Sequence, residues 1–106
     1  MRSTWGRTGG MGDEVRHNVD ESRYEILRDG RVVGIAEYVD RGEILVFHHT
    51  EIDAPLRGDG LGAQLVGAAL DDVRARDRHI IPTCWYVAEF VEHHPEYRNL
   101  LARDDE

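Results

Sequence analysis

Three stretches of this 106-residue chain hold side chains that can do chemistry at neutral pH. The first is His48-His49-Thr50-Glu51, at the end of an apolar run. An imidazole, with a reference pKa of about 6.5, and a carboxylate two residues on are both proton acceptors. Either His49 or Glu51 is a candidate catalytic base; equally, either is a hydrogen-bonding group at a strand end. The second is Cys84, the lone thiol. A cysteine opening a helix is biased towards thiolate, so Cys84 is either a catalytic or acyl-accepting thiol or a small buried hydrophobe. The third is His93-His94. Neighbouring helical residues diverge by about 100°, so these two histidines make poor joint ligands, and no metal site is expected.

Between the first two stretches lies LRGDGLGAQLVGAAL, residues 56–70, with Gly58, Gly60 and Gly62 within five positions. Interior glycine weakens a helix by about 1 kcal/mol relative to alanine, so something there needs bare backbone. A helix N-terminus carries unpaired N–H groups and partial positive charge. Glycines let an anion approach those groups, and Arg57 adds a charge-assisted contact. The stretch is either such a phosphate cradle or a flexible turn with a helix cap. Two phosphate motifs are excluded. A P-loop needs a lysine, and all thirteen basic residues are arginine. A dinucleotide fingerprint needs G-x-G-x-x-G after the first strand, whereas this chain has G-x-G-x-G after several.

The elements that must position these groups divide the chain in two. RYEILR (23–28) alternates as a strand does, and Asp29-Gly30 is a two-residue hairpin signal. RVVGIAEYV (31–39) follows, with Val33, Ile35 and Val39 expected on one face. Asp40-Arg41-Gly42 is a second turn, and EILVFHHT (43–50) is apolar on both faces, as for a covered central strand. His48 and His49 should point to opposite faces. From Leu61 the period becomes helical: Leu61, Leu65, Ala69 and Val73 form one row, Val66 and Leu70 a second, with an end near 77. A short strand (79–83), a helix (84–94) stopped by Pro95 and a final helical turn (96–102) complete the chain. Trp85, Val87, Ala88, Phe90 and Val91 read as core. The fold class is α/β with a mixed sheet: an antiparallel meander, then a βαβ unit with parallel strands, then a C-terminal helix.

Length allows one domain, set at residues 21–103, with the Gly-rich and unpatterned residues 1–20 expected as a mobile tail. Met11 offers an alternative start. The formal charge of −8 disfavours nucleic acid as a partner. One cysteine rules out an internal disulfide and suits a reducing cytoplasm. Neither a signal peptide nor a membrane span is visible.

Arg57-x-x-Gly60-x-Gly62, placed between an antiparallel meander and a helix, resembles the pyrophosphate-binding motif of the GCN5-related N-acetyltransferases. HTEI (49–52), RGDGLG (57–62), IPTC (81–84) and EHHPEY (92–97), in that order, resemble the small single-domain YjdJ-type subgroup, and the likeness covers residues 22–101. The resemblance implies a minimal version of that fold and acetyl-CoA as acyl donor. It implies that Arg57, Gly58, Asp59, Gly60, Leu61 and Gly62 hold the pyrophosphate. It places the pantetheine arm along Thr50, Glu51 and Ile52, in a gap where two strands splay, with Cys84 near its thiol end. His49 and Glu51 would serve the incoming amine, and Tyr97 is a general-acid candidate. Many relatives carry two helices between their first two strands; this chain has only Asp29-Gly30, so its acceptor side is reduced or open. The function expected is N-acetyl transfer to an amine by direct attack on the thioester. The alternatives are a coenzyme A-binding module without turnover and a plain interaction domain.

Overall fold

The computed structural model describes residues 13–102. Five strands form one sheet in the order β1-β2-β3-β4-β5: β1 Asp13–Asn18, β2 Arg23–Arg28, β3 Arg31–Asp40, β4 Ile44–Ile52 and β5 His79–Pro82. The first four pair antiparallel, and β5 lies parallel to β4. Helix α1 (Leu61–Ala75) makes the crossover between β4 and β5 and packs across all five strands, while α2 (Trp85–His93) packs on α1, β4 and β5. Short 3-10 turns occupy Ala54–Leu56 and Pro95–Leu100. No helix among the described residues is long and apolar enough to cross a membrane.

The mixed sheet, the meander and the βαβ unit are as the sequence predicts; the first strand is not. Asp13–Asn18 belongs to the sheet, so the part of the expected tail from residue 13 to 18 is a strand. Residues 1–12 lie outside the described residues. The strand is held by polar groups rather than by an apolar alternation. On one face Arg16 Nε and Asn18 Nδ2 both donate to the buried Glu25 carboxylate, at 2.9 Å each. On the other, His17 stacks on Tyr24 with ring centroids 4.1 Å apart, where an aliphatic residue would ordinarily stand.

The Asp29-Gly30 hairpin forms as expected, with both residues at positive φ (54° and 82°), the geometry of a type I′ turn. Two bulges then redistribute the side chains. The β2–β3 register passes from Ile26↔Gly34 to Leu27↔Val32, leaving Val33 unpaired. Val33, Ala36 and Tyr38 are therefore buried, and Val39 is exposed instead of sharing the face of Val33. The β3–β4 register passes from Glu37↔His49 to Tyr38↔Phe47, leaving His48 as the extra residue. A bulge opposes two residues to one and bends the strand. Leu45 and Phe47 face the core before it, and Thr50 and Ile52 turn inward after it. His48 and His49 are both exposed rather than on opposite faces.

Helix α1 buries the two rows its periodicity marks: Leu61, Leu65, Ala69 and Val73, with Val66 and Leu70 beside them. It ends at Ala75. Asp72 on its inner face is also buried. Its carboxylate accepts from Tyr24 Oη at 2.8 Å and Arg76 Nε at 2.7 Å, and His17 Nδ1 lies 3.4 Å away. Burial pushes the Asp72 carboxyl up, but His17, Tyr24 and Arg76 outweigh it and hold the group below the usual carboxylate range.

Candidate functional site

β5 pairs with β4 only at Ile44–Phe47. At its end the chain turns away into α2, with the Thr83 and Cys84 N–H groups both donating to the Phe47 carbonyl at 2.9 and 3.0 Å. His48–Ile52 therefore run on with β3 on one side and, among the described residues, no strand on the other. The opening is a cleft of about 760 Å³ between the end of β4, the start of α1 and the start of α2.

Its first wall is the N-terminus of α1. Gly60 caps the helix in the left-handed region (φ 81°), and its carbonyl accepts from Gln64 N. Only glycine enters that region without steric cost. No acid stands in the first turn of α1, and a Cβ added to Gly58 or Gly60 would meet no protein atom within 4 Å. The Gly58–Gly60 approach to the helix thus faces open space, at an end that carries partial positive charge. Arg57 lines the same wall, and its Nε donates to the Ile52 carbonyl at 3.1 Å.

The second wall is β4. Thr50 and Ile52 lean towards the core while His49 and Glu51 stand side by side on the outer face, with His49 Nε2 3.0 Å from Glu51 Oε1. Both are about half exposed. The third wall is α2, through Trp85 and Tyr86.

Most residues singled out from the sequence meet here: His49, Thr50, Glu51, Ile52, Arg57, Gly58, Gly60, Leu61 and Gly62 all line the cleft. Two stand apart. Asp59 lies outside the lining, its carboxylate 3.9 Å from Arg28 Nη1. Cys84 is N-cap of α2, but its side chain belongs to the buried core and its Sγ donates to Thr50 Oγ1 at 3.5 Å. The thiol thus sits behind the β4 wall, not in the cleft. Tyr97 lies away from the cleft as well: it is buried, and its Oη donates to Asp71 Oδ1 at 2.7 Å. Burial and that bond to Asp71 push its phenol up to about 12, which fits a packing role. His94 caps α2 and bonds the Phe90 carbonyl through Nδ1 at 2.8 Å. No group of histidine, cysteine and acidic side chains among the described residues could hold a metal.

Sequence reading missed Leu56 and Tyr86 as lining residues and misplaced Trp85, which is 72% exposed rather than core. Tyr86 had a signal in the sequence. Gly62 lacks a side chain because the phenol fills that space: an added Cβ would stand 2.5 Å from Tyr86 Oη. Burial and the negative Glu89 hold this phenol above its usual range, so it remains an O–H donor at neutral pH.

Comparison with known proteins agrees with this geometry. A family model described as GCN5-related N-acetyl-transferase matches residues 23–100. The chain is 34% identical over 84 residues to Protein NATD1 of Bos taurus, covering 76% of this chain and 74% of the relative. It is 33% identical over 85 residues to that of Gallus gallus, covering 77% and 76%. To the Danio rerio protein it is 32% identical over 88 residues, covering 78% and 79%. With the splayed β4–β5 pair and the glycine-opened helix N-terminus already in place, a match across all but the first strand means that the chain belongs to the GCN5-related N-acetyltransferase family.

Proposed function

We propose that the protein transfers an acetyl group from acetyl-CoA to an amine, by direct attack of the amine on the thioester. The observation that carries this reading is the pairing of an open, acid-free helix N-terminus with a strand end free along its β5 edge in one cleft. Phosphates suit the first wall, where Arg57 and the α1 N–H groups offer charge-assisted donors. An extended arm bearing amides suits the second, where the β4 edge away from β3 has no strand paired to it beyond Phe47 among the described residues.

In this reading the amine nitrogen gives its lone pair to the thioester carbonyl carbon. A C–N bond forms, the C–S bond breaks with its electron pair passing to sulfur, and the nitrogen's proton goes to His49. Glu51, 3.0 Å from the imidazole, orients that ring and stabilises its charged form. Cys84 has no part in the transfer: it is buried, turned to Thr50 and outside the cleft. A second reading, a coenzyme A-binding module without turnover, is favoured by one feature: no helix interrupts the β1–β2–β3 hairpins to enclose an acceptor. Release of free thiol from acetyl-CoA on mixing with an amine panel separates the two. Amine-dependent release supports transfer, and binding with no release under any amine supports the module.

A further inference from the structure

The donor leaves the identity of the acceptor open, and the mouth of the cleft opposite the glycines bears on it. Trp85 is the most exposed of the large apolar residues described, at 72%. The core requirement of α2 is met by Val87, Phe90 and Val91. The indole instead borders the cleft, braced edge-on against Tyr86 with centroids 5.7 Å apart and planes at 84°. The same cleft is bordered by Glu51, whose carboxylate has His49 as its ion-pair partner. Glu89 lies one helical turn beyond Trp85, exposed on the same side of α2. Arg57, the one arginine lining the cleft, is engaged with the Ile52 carbonyl at the end suited to phosphate. An aromatic face beside carboxylates, with no arginine of its own to fill it, attracts an organic cation.

The attacking nitrogen cannot be that cation, because it must shed its proton to expose a lone pair. A charge held by Trp85 throughout the reaction belongs to a second nitrogen. We propose that the acceptor is a small di- or polyamine, with one nitrogen at the thioester beside His49 and a second, still ammonium, over Trp85 and near Glu51. This rests on the acetyl-CoA reading above. A small acceptor is favoured over a basic protein segment because the acids of the adjoining sheet face are already matched. Glu25 is bound by Arg16 and Arg23, and Glu37 lies 4.0 Å from Arg23, so no row of free carboxylates extends over that sheet face from the mouth.

The test measures thiol release from acetyl-CoA, with product masses, for 1,4-diaminobutane, n-butylamine and a dilysine peptide. The expected result is a kcat/KM for the diamine about tenfold above the monoamine. That ratio should fall towards one in Trp85→Ala and be partly kept in Trp85→Phe. Equal values for diamine and monoamine, a ratio unchanged in Trp85→Ala, or a tenfold preference for the peptide over the diamine would each overturn it. A thermal shift with coenzyme A on the same samples tells the two failures apart: stabilisation without diamine preference sinks the acceptor class alone, whereas no stabilisation sinks the donor reading beneath it.

Discussion

Gly62 on α1 and Tyr86 on α2 occupy one space: a Cβ on the glycine would lie 2.5 Å from the phenol oxygen and 2.9 Å from Cζ. The contact locks the starts of the two helices together at the cleft wall. Gly62→Ala therefore has opposite effects in two backgrounds. With Tyr86 present, the methyl displaces the ring, and overpacking outweighs the roughly 1 kcal/mol gained in helix propensity. In Tyr86→Ala the space is free, only the propensity gain remains, and Gly62→Ala stabilises. Urea melts of the four proteins measure this cycle; the same sign in both backgrounds would show that Tyr86 is not what excludes the side chain.

Coenzyme A and acetyl-CoA should raise Tm, and NAD and ATP should not. At a hundredfold excess over Kd the gain is about 2.7 kcal/mol, roughly ten degrees or more for a domain of this size. Arg57→Glu should weaken coenzyme A binding by about tenfold or more, through loss of a charge-assisted contact and reversal of charge. Equal shifts with ATP would remove the assignment of the α1 N-terminus to this ligand.

Mixing with acetyl-CoA alone should leave no acetyl adduct on Cys84, and Cys84→Ala should retain most transfer activity. The cost should fall on stability, about 1 kcal/mol for a small cavity behind β4. Intact-protein mass spectrometry decides: a stoichiometric acetyl adduct mapped to Cys84, together with an inactive Cys84→Ala protein, would reverse the mechanism.

Stability should fall in acid through Asp72 and Glu25, both held below the usual carboxylate range in the folded state. A depressed folded pKa means the unfolded chain binds the proton more tightly. The contribution is therefore complete above the ordinary value near 4 and is lost as pH falls below it. Asp72→Ala removes the carboxylate that accepts from Tyr24 Oη and Arg76 Nε and should cost about 3 kcal/mol at pH 7, while flattening the acid limb of a stability-versus-pH curve. An unchanged acid limb would mean that the Asp72 cluster does not couple folding to protons.

The elements written in apolar periodicity were legible in the sequence: both rows of α1, the Asp29-Gly30 hairpin and the parallel β4–β5 pair bounding the cleft. The glycines and Arg57 were legible because a backbone requirement leaves a mark in residue type. What escaped was whatever rests on a distant partner. β1 has one buried aliphatic residue, Val15, and owes its place to Glu25 and Tyr24 across the sheet. Trp85 carries an apolar type at an exposed site, and its neighbour Tyr86 marks the cleft only through the missing side chain of Gly62. Cys84 stands where expected along the chain, but its direction depends on Thr50, thirty-four residues away.

His48 makes no side-chain contact of note, yet it sets the parity of everything after it on β4. Were that residue paired in register instead of bulged, the alternation begun by Leu45 and Phe47 would carry His49 and Glu51 into the core and turn Thr50 and Ile52 out to solvent. Position 48 thus behaves as a spacer whose identity is free and whose unpaired setting is not. Most side chains should be tolerated there, and deleting the residue would join Phe47 to His49 in plain alternation with His49 and Glu51 still outward, whereas inserting one more residue beside it would turn the cleft edge of the sheet inside out.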